Sequence, residues 1–179
     1  MLSAWPFSSH AAARARLVGL AALALAGLST IAAKGPLLLW NTTDSEPEGL
    51  YVRSPGPMGV GALVAVRVPP AAFPYASRQL SYLRRIPVLK PVAAATGDRV
   101  CAESDVLMIN GQARARILVH DRSGIRLPSW GGCRRLQSNE LFLLSDRIPN
   151  SFDSRYFGPV ARSAVLGPFQ PLVVAGAGR

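Results

Sequence analysis

The chain has 179 residues, enough for one sizeable domain with its own core; 49% of them are apolar, and Gly (16) and Pro (15) are frequent without repeats or low-complexity tracts, which reads as a globular, turn-rich protein. The net charge of +10 invites a nucleic-acid partner. However, the basic residues are spread along the chain, nearly all are arginine, and no basic run is interleaved with aromatics as a strand-binding groove requires, so an arginine-rich solvated surface is preferred and no nucleic acid is expected.

From Leu17 to Ala33 runs an uninterrupted apolar stretch, LVGLAALALAGLSTIAA, preceded by Arg14 and Arg16. It has no polar face, which argues against a buried core helix. It is short for a spanning helix and long for the core of a signal peptide, and Thr30, Ala32 and Ala33 offer a cleavage site. Continuation of the apolar run through Pro36 and Leu37–Trp40 favours a retained anchor. Either reading predicts a cytoplasmic tail at 1–16, an anchor or signal segment at 17–36, and a domain at 37–179 across the membrane.

Beyond Lys34 the pattern is of short strands and turns. Leu50–Arg53 and Leu63–Val68 read as strands separated by the turn Pro55–Gly56–Pro57. Pro69, Pro70 and Pro74 mark an irregular connection, and Tyr75–Arg85 carries a short helix. Val88–Ala94 reads as a strand running into the turn Thr96–Gly97–Asp98. Val106–Ile109 and Ala113–Val119 flank Asn110–Gly111, the strongest hairpin signal in the chain. Glu140–Leu144 and Ala164–Leu166 are further strands, while Phe169–Ala175 is apolar but too short to span a membrane. The expected fold is a mainly β domain in which a subdomain at 99–139 carries the hairpin. Cys101 and Cys133, the only cysteines, can pair in an oxidising compartment and would close a loop worth roughly 3–4 kcal/mol; two unpaired core cysteines are the alternative.

Catalytic classes narrow quickly. His10 and His120 are the only histidines; His10 lies in the tail and His120 flanks a turn beside Asp121, which leaves neither a zinc site nor a strong Ser–His–Asp triad. No Gly-rich phosphate loop is present, and no metal or cofactor is expected. Lysine remains as a base. Only Lys34 and Lys90 exist, against eighteen arginines, and Lys34 flanks the hydrophobic segment. On a strand, Lys90 shares a face with Val88 and Val92, where burial lowers an amine's pKa. A lysine snorkelling to a strand edge beside Pro91 fits the local pattern equally well. The nucleophile candidate is Ser45, in the turn-forming run Asn41-Thr-Thr-Asp-Ser-Glu-Pro-Glu-Gly-Leu-Tyr51; a plain connecting loop is its alternative.

Three blocks, in order, resemble the signal peptidase I superfamily and specifically its conjugative-transfer branch, the TraF peptidases. Asn41–Tyr51 is similar to the nucleophile box, and Lys90-Pro-Val-Ala-Ala-Ala-Thr-Gly-Asp-Arg-Val100 to the lysine box. Ser145-Asp-Arg-Ile-Pro-Asn-Ser-Phe-Asp-Ser-Arg-Tyr-Phe-Gly158 resembles the third signature and is the most specific of the three. The two cysteines, the Asn-Gly hairpin and Leu-Pro-Ser-Trp130 also look like the transfer branch. The match extends over most of residues 37–168.

The resemblance implies a coiled antiparallel sheet or barrel and a serine endopeptidase with a Ser45–Lys90 dyad. It implies an oxyanion hole from the Ser45 amide and the Thr43 hydroxyl, Ser151 orienting the lysine, and an Asp153–Arg155 ion pair supporting the site. It further implies a pocket for small side chains such as alanine. The partners it implies are a pilin precursor, cleaved and in some members cyclised, the inner membrane, and the conjugative transfer machinery. Ser45 is twelve residues past Ala33, within roughly 40 Å of the end of the hydrophobic segment, which places the site at the periplasmic membrane face. Glu46 after Ser45, Thr96 before Gly97, Pro91 after Lys90, and the Ser145-Asp-Arg-Ile opening depart from general signal peptidases and favour a dedicated enzyme. A general leader peptidase, or a non-catalytic subunit of the transfer machine, is the alternative.

Overall fold

The computed structural model describes Arg14 and residues 16–20, 35–73 and 75–175. Of the segment 17–33, only 17–20 fall within these, as helix; the rest of the expected anchor or signal lies outside the described residues. Among the described residues no helix is long and apolar enough to cross a membrane. Contacts divide the chain into two units, Met1–Leu37 and Leu38–Arg179, and the second carries the β structure.

That unit is built on two antiparallel sheets. The larger comprises β1 (Leu38–Asn41), β2 (Gly49–Arg53), β3 (Leu63–Val66), β4 (Val88–Ala94), β9 (Glu140–Leu143), β10 (Val160–Ala161) and β11 (Val165–Val174). The smaller comprises β5 (Arg99–Glu103), β6 (Val106–Ile109), β7 (Gln112–Arg116) and β8 (Gly132–Arg135). Their strand orders are β1-β2-β11-β3-β4-β9-β10, a curled sheet, and β7-β6-β5-β8. One apolar cluster, around Val64, Val66, Val92, Leu141, Leu143 and Phe157, lies under β3, β4 and β9. A second joins Ala94 and Phe142 of the large sheet to Val100, Leu107 and Ile109 of the small one.

Several elements match the sequence reading. Val88–Ala94 and Val106–Ile109 have the expected bounds. Asn110 and Gly111 have φ of 52° and 81°, the left-handed pair of a tight hairpin turn. The segment Tyr75–Arg85 is a short helix, Tyr75–Gln79, followed by a 3-10 turn, Ser81–Arg84. Cys101 and Cys133 are directly paired across β5 and β8 and form a disulfide.

Three differences have physical causes. Leu38–Trp40, apolar in the sequence, lie with Asn41 in β1, whose register sets Leu39 opposite Tyr51. Of the expected strand Ala164–Leu166, Val165 and Leu166 start the ten-residue β11 while Ala164 closes a 3-10 turn, Arg162–Ala164; β11 absorbs Gly167, Pro168 and Pro171 through register shifts against both neighbours. Arg99–Glu103 and Gly132–Arg135 also prove to be strands, paired over long range.

Two glycines are required by close approach. At Gly49, with φ of 142°, a Cβ would stand 2.2 Å from Val173 O. At Gly158, with φ of 77°, it would stand 2.5 Å from Trp130 Cδ1, and Trp130 packs on Phe142 with ring centroids 5.4 Å apart.

Candidate active site

β4 changes neighbours along its length. Val88, Leu89 and Lys90 pair with Val66, Ala65 and Val64 of β3, whereas Val92 and Ala94 pair with Leu143 and Phe142 of β9. Lys90 therefore sits above apolar neighbours and is only 4% exposed. Its Nζ donates a hydrogen bond to Ser45 Oγ, and Ser45 is itself 7% exposed. Burial is the main influence on this amine and lowers its pKa; Asp153 and Glu46 pull it back up, Arg155 pushes it down, and the result is about 8. An amine at that value is partly neutral near physiological pH, which an ordinary surface lysine is not.

The loop between β1 and β2 presents Ser45, and Asn41 organises that loop. The Asn41 Nδ2 group donates to the carbonyls of Thr43 (2.9 Å), Glu46 (2.9 Å) and Pro47 (3.1 Å). Its Oδ1 accepts from Thr43 N (3.2 Å) and Thr43 Oγ1 (2.9 Å). Tyr51 OH donates to Pro47 O at 2.7 Å from the floor of β2. Thr43 Oγ1 stands 3.3 Å from Ser45 Oγ. Sequence reasoning missed Asn41 as a site residue; the signal was the Asn-x-Thr spacing of a side-chain-capped turn.

The third block is folded beneath this loop by a buried ion pair. Asp153 is 0% and Arg155 1% exposed. Arg155 Nε donates to Asp153 Oδ1 at 2.9 Å, and a terminal guanidinium nitrogen to Oδ2 at 2.8 Å. The remaining guanidinium donors reach the carbonyls of Ser145 (3.0 Å), Ser151 (3.2 Å), Pro149 (3.2 Å) and Arg116 (3.2 Å). Asp153 also caps the helix Ser154–Phe157 by accepting from Arg155 N (3.2 Å), and it accepts from Ser145 N (3.2 Å). A charge pair so buried keeps its place only because nearly every donor and acceptor is used.

Ser145 links the two parts: its hydroxyl donates to the main-chain carbonyl of Ser45. Two residues on, Arg147 Nε donates to Asp44 O at 3.1 Å. The sequence marks both residues only as part of the divergent Ser145-Asp-Arg-Ile opening and gives them no role, because contacts 100 and 103 residues apart leave no local pattern. Glu46 lies in the same cluster. Burial raises its carboxyl pKa, with Ser145, Lys90 and Arg147 pulling it back down, and its Oε1 has no hydrogen-bond partner among the described residues.

Ser45, Thr43, Lys90 and Ser151 all line one cleft of about 570 Å³, whose other walls are largely apolar, with Leu39, Leu83, Ile86 and Phe152 among them. Ser151 is 1% exposed, and its hydroxyl has no hydrogen-bond partner among the described residues; in this structure Lys90 is held by Ser45 instead. The arrangement can do one kind of chemistry readily: a hydroxyl in contact with an amine of lowered basicity, both on the wall of one cleft. Cys101 and Cys133 are joined to each other and lie outside this cleft.

The model of the family described as signal peptidase, peptidase S26, matches residues 12–173. A plasmid transfer protein TraF from Escherichia coli is 33% identical over 165 residues, 87% of this chain and 91% of that protein. A conjugal transfer protein TraF from Agrobacterium tumefaciens (strain 15955) is 35% identical over 164 residues, 85% of this chain and 90% of that protein. A signal peptidase I from Enterococcus faecalis V583 superposes with a TM-score of 0.40 at 20% identity, over 65% of this chain and 100% of that one, a likeness too remote to carry an argument.

Proposed function

The chain belongs to the signal peptidase S26 family, and on that premise we propose that it is a serine endopeptidase in which Ser45 is the nucleophile and Lys90 the general base. The observation that carries the reading is the hydrogen bond between a buried lysine of pKa about 8 and the Ser45 hydroxyl. Neutral Lys90 takes the hydroxyl proton as Ser45 Oγ attacks the peptide carbonyl. Lys90, now an ammonium, gives that proton to the leaving amine as the acyl-enzyme forms. Attack by water, or by a substrate's own α-amine, then frees Ser45, with Lys90 again moving the proton.

The Ser45 amide and the Thr43 hydroxyl are the proposed donors to the oxyanion. The Thr43 proton is directed at Asn41 Oδ1, so its hydroxyl must rotate toward the cleft when the oxyanion forms. To Ser151, which lines the same cleft as Lys90 and whose hydroxyl has no hydrogen-bond partner among the described residues, we assign the role of receiving the ammonium after Ser45 gives up its proton. No metal or cofactor is assigned a step.

The substrate we propose is a pilin precursor, cleaved after a small side chain, and cyclised where its own α-amine rather than water takes the acyl group, at the periplasmic face of the inner membrane and in the service of the conjugative transfer machinery. The names of the plasmid and conjugal transfer relatives support the transfer role. The test is the mass of mature pilin from cells carrying the transfer system with the wild-type chain, Ser45→Ala or Lys90→Arg. Unprocessed precursor with both variants is expected. A product lighter than the linear form by one water marks cyclisation, and normal processing by either variant contradicts the reading.

A further inference from the structure

We infer that Ser145 and Arg147 are positioning residues that grip the two peptide groups on either side of the nucleophile and aim the Ser45 amide at the oxyanion. The inference rests on the assignment of Ser45 above and adds what holds its main chain in the reacting geometry.

The geometry is that of two consecutive carbonyls. Arg147 Nε donates to Asp44 O at 3.1 Å, and the Ser145 hydroxyl donates to Ser45 O. A trans peptide is planar, with its C=O and N–H pointing in opposite directions. Fixing Asp44 O toward Arg147 therefore turns the Ser45 N–H, in the same peptide, to the side away from Arg147. Fixing Ser45 O toward Ser145 locks the following peptide, so the nucleophile's backbone is held at both ends. The guanidinium adds a second effect: a cation on the Asp44 carbonyl polarises the peptide and makes the Ser45 N–H a stronger donor.

The base of the grip is rigid. Ser145 is 1% exposed, its N–H donates to Asp153 Oδ2 (3.2 Å), and its carbonyl accepts from Arg155 (3.0 Å). Those two bonds use the main chain of Ser145; its hydroxyl donates to Ser45 O and also acts on the neighbouring Glu46 carboxylate, whose pKa it lowers. The Asp153–Arg155 pair thus acts on the nucleophile through Ser145, and Ser145→Ala removes the hydroxyl while leaving the ion pair's own bonds in place. Arg147 is exposed, so water can replace part of its contribution.

The experiment uses the purified full chain with a peptide spanning an alanine-terminated cleavage site, and a peptide aldehyde with the same sequence as a mimic of the tetrahedral intermediate. Ser145→Ala, Arg147→Ala and Arg147→Lys are compared with the wild type, with Ser45→Ala as control. Ser145→Ala is expected to lower kcat about tenfold with KM unchanged, and to weaken aldehyde binding by the same factor. Arg147→Ala is expected to do so a few-fold, with partial rescue by Arg147→Lys, at unchanged melting temperature. Retention of kcat and aldehyde affinity by both alanine variants, or a rise in KM alone, overturns the grip even when Ser45→Ala is inactive. Full activity in Ser45→Ala removes the nucleophile assignment, and the grip with it.

Discussion

Lys90 Nζ and Ser45 Oγ, 45 residues apart in the chain, meet in a hydrogen bond beneath the surface of the large sheet. In the ammonium form the amine donates to the hydroxyl. Once deprotonated, its lone pair faces the hydroxyl proton that catalysis must remove. The same contact therefore describes a resting and an activated state that differ by one proton, and pH moves the pair between them.

Because activity requires neutral Lys90, kcat/KM should rise with pH along a limb centred at about 8. Asp153, Glu46 and Arg155 are the charges that act on this amine, and Glu46 raises its pKa. Glu46→Gln should therefore move the limb to lower pH. A pH–rate profile checks both; an unmoved limb in the variant removes Glu46 from the set of groups that tune Lys90.

Lys90→Met should stabilise the protein while abolishing activity. The folded lysine titrates at about 8 against a reference of 10.5. Below pH 8 both states carry the ammonium, and the native one bears the whole cost of burying it, about 3 kcal/mol before loss of the Ser45 hydrogen bond is counted. Between pH 8 and 10.5 the unfolded chain binds more protons, so the native protein gains stability and the variant's advantage fades. Urea unfolding of both proteins at pH 7 and pH 10.5 tests the sign: the gap must narrow as the pH rises.

Arg155→Lys should behave as a disruption. A lysine cannot reproduce the fork on Asp153 while also reaching the carbonyls of Arg116, Pro149, Ser145 and Ser151. The loss expected for breaking this buried pair is about 3–5 kcal/mol, read as a fall in the denaturant midpoint, and Asp153→Ala should lie in the same range.

Asn41→Asp keeps the oxygen that accepts from Thr43 and loses the donors to the Thr43, Glu46 and Pro47 carbonyls. The Ser45 loop should loosen, with kcat falling about tenfold and global stability changing by about 1 kcal/mol or less, since the loop lies at the edge of the sheet. Steady-state kinetics beside a melting curve separates this outcome from general unfolding.

Part of this architecture is legible in the sequence because its signals are local. The short apolar run at Val88–Ala94 ahead of the Thr96–Gly97–Asp98 turn, the Asn110–Gly111 turn and the absence of any lysine but Lys90 in the domain mark a strand, a hairpin and a candidate base from short windows. The strand at Leu38–Trp40 is not legible because an edge strand rich in Leu and Trp has the same composition as the end of a hydrophobic segment. The course of β11 is hidden by Gly167, Pro168 and Pro171, which ordinarily end strands and are accommodated here only by register shifts set by β2 and β3. Ser145 and Arg147 are silent for a different reason: their partners are main-chain carbonyls, which every residue has, so nothing in the side-chain pattern announces the pairing.

The central claim is tested most directly by cleavage of a peptide spanning the precursor's processing site, at pH 8, with the purified full chain and its Ser45→Ala and Lys90→Arg variants. Arginine keeps the positive charge but cannot serve as a base. The account predicts that both variants lose more than about a thousandfold in kcat/KM while remaining folded. Cleavage by folded Lys90→Arg at a rate near that of the wild type would contradict it.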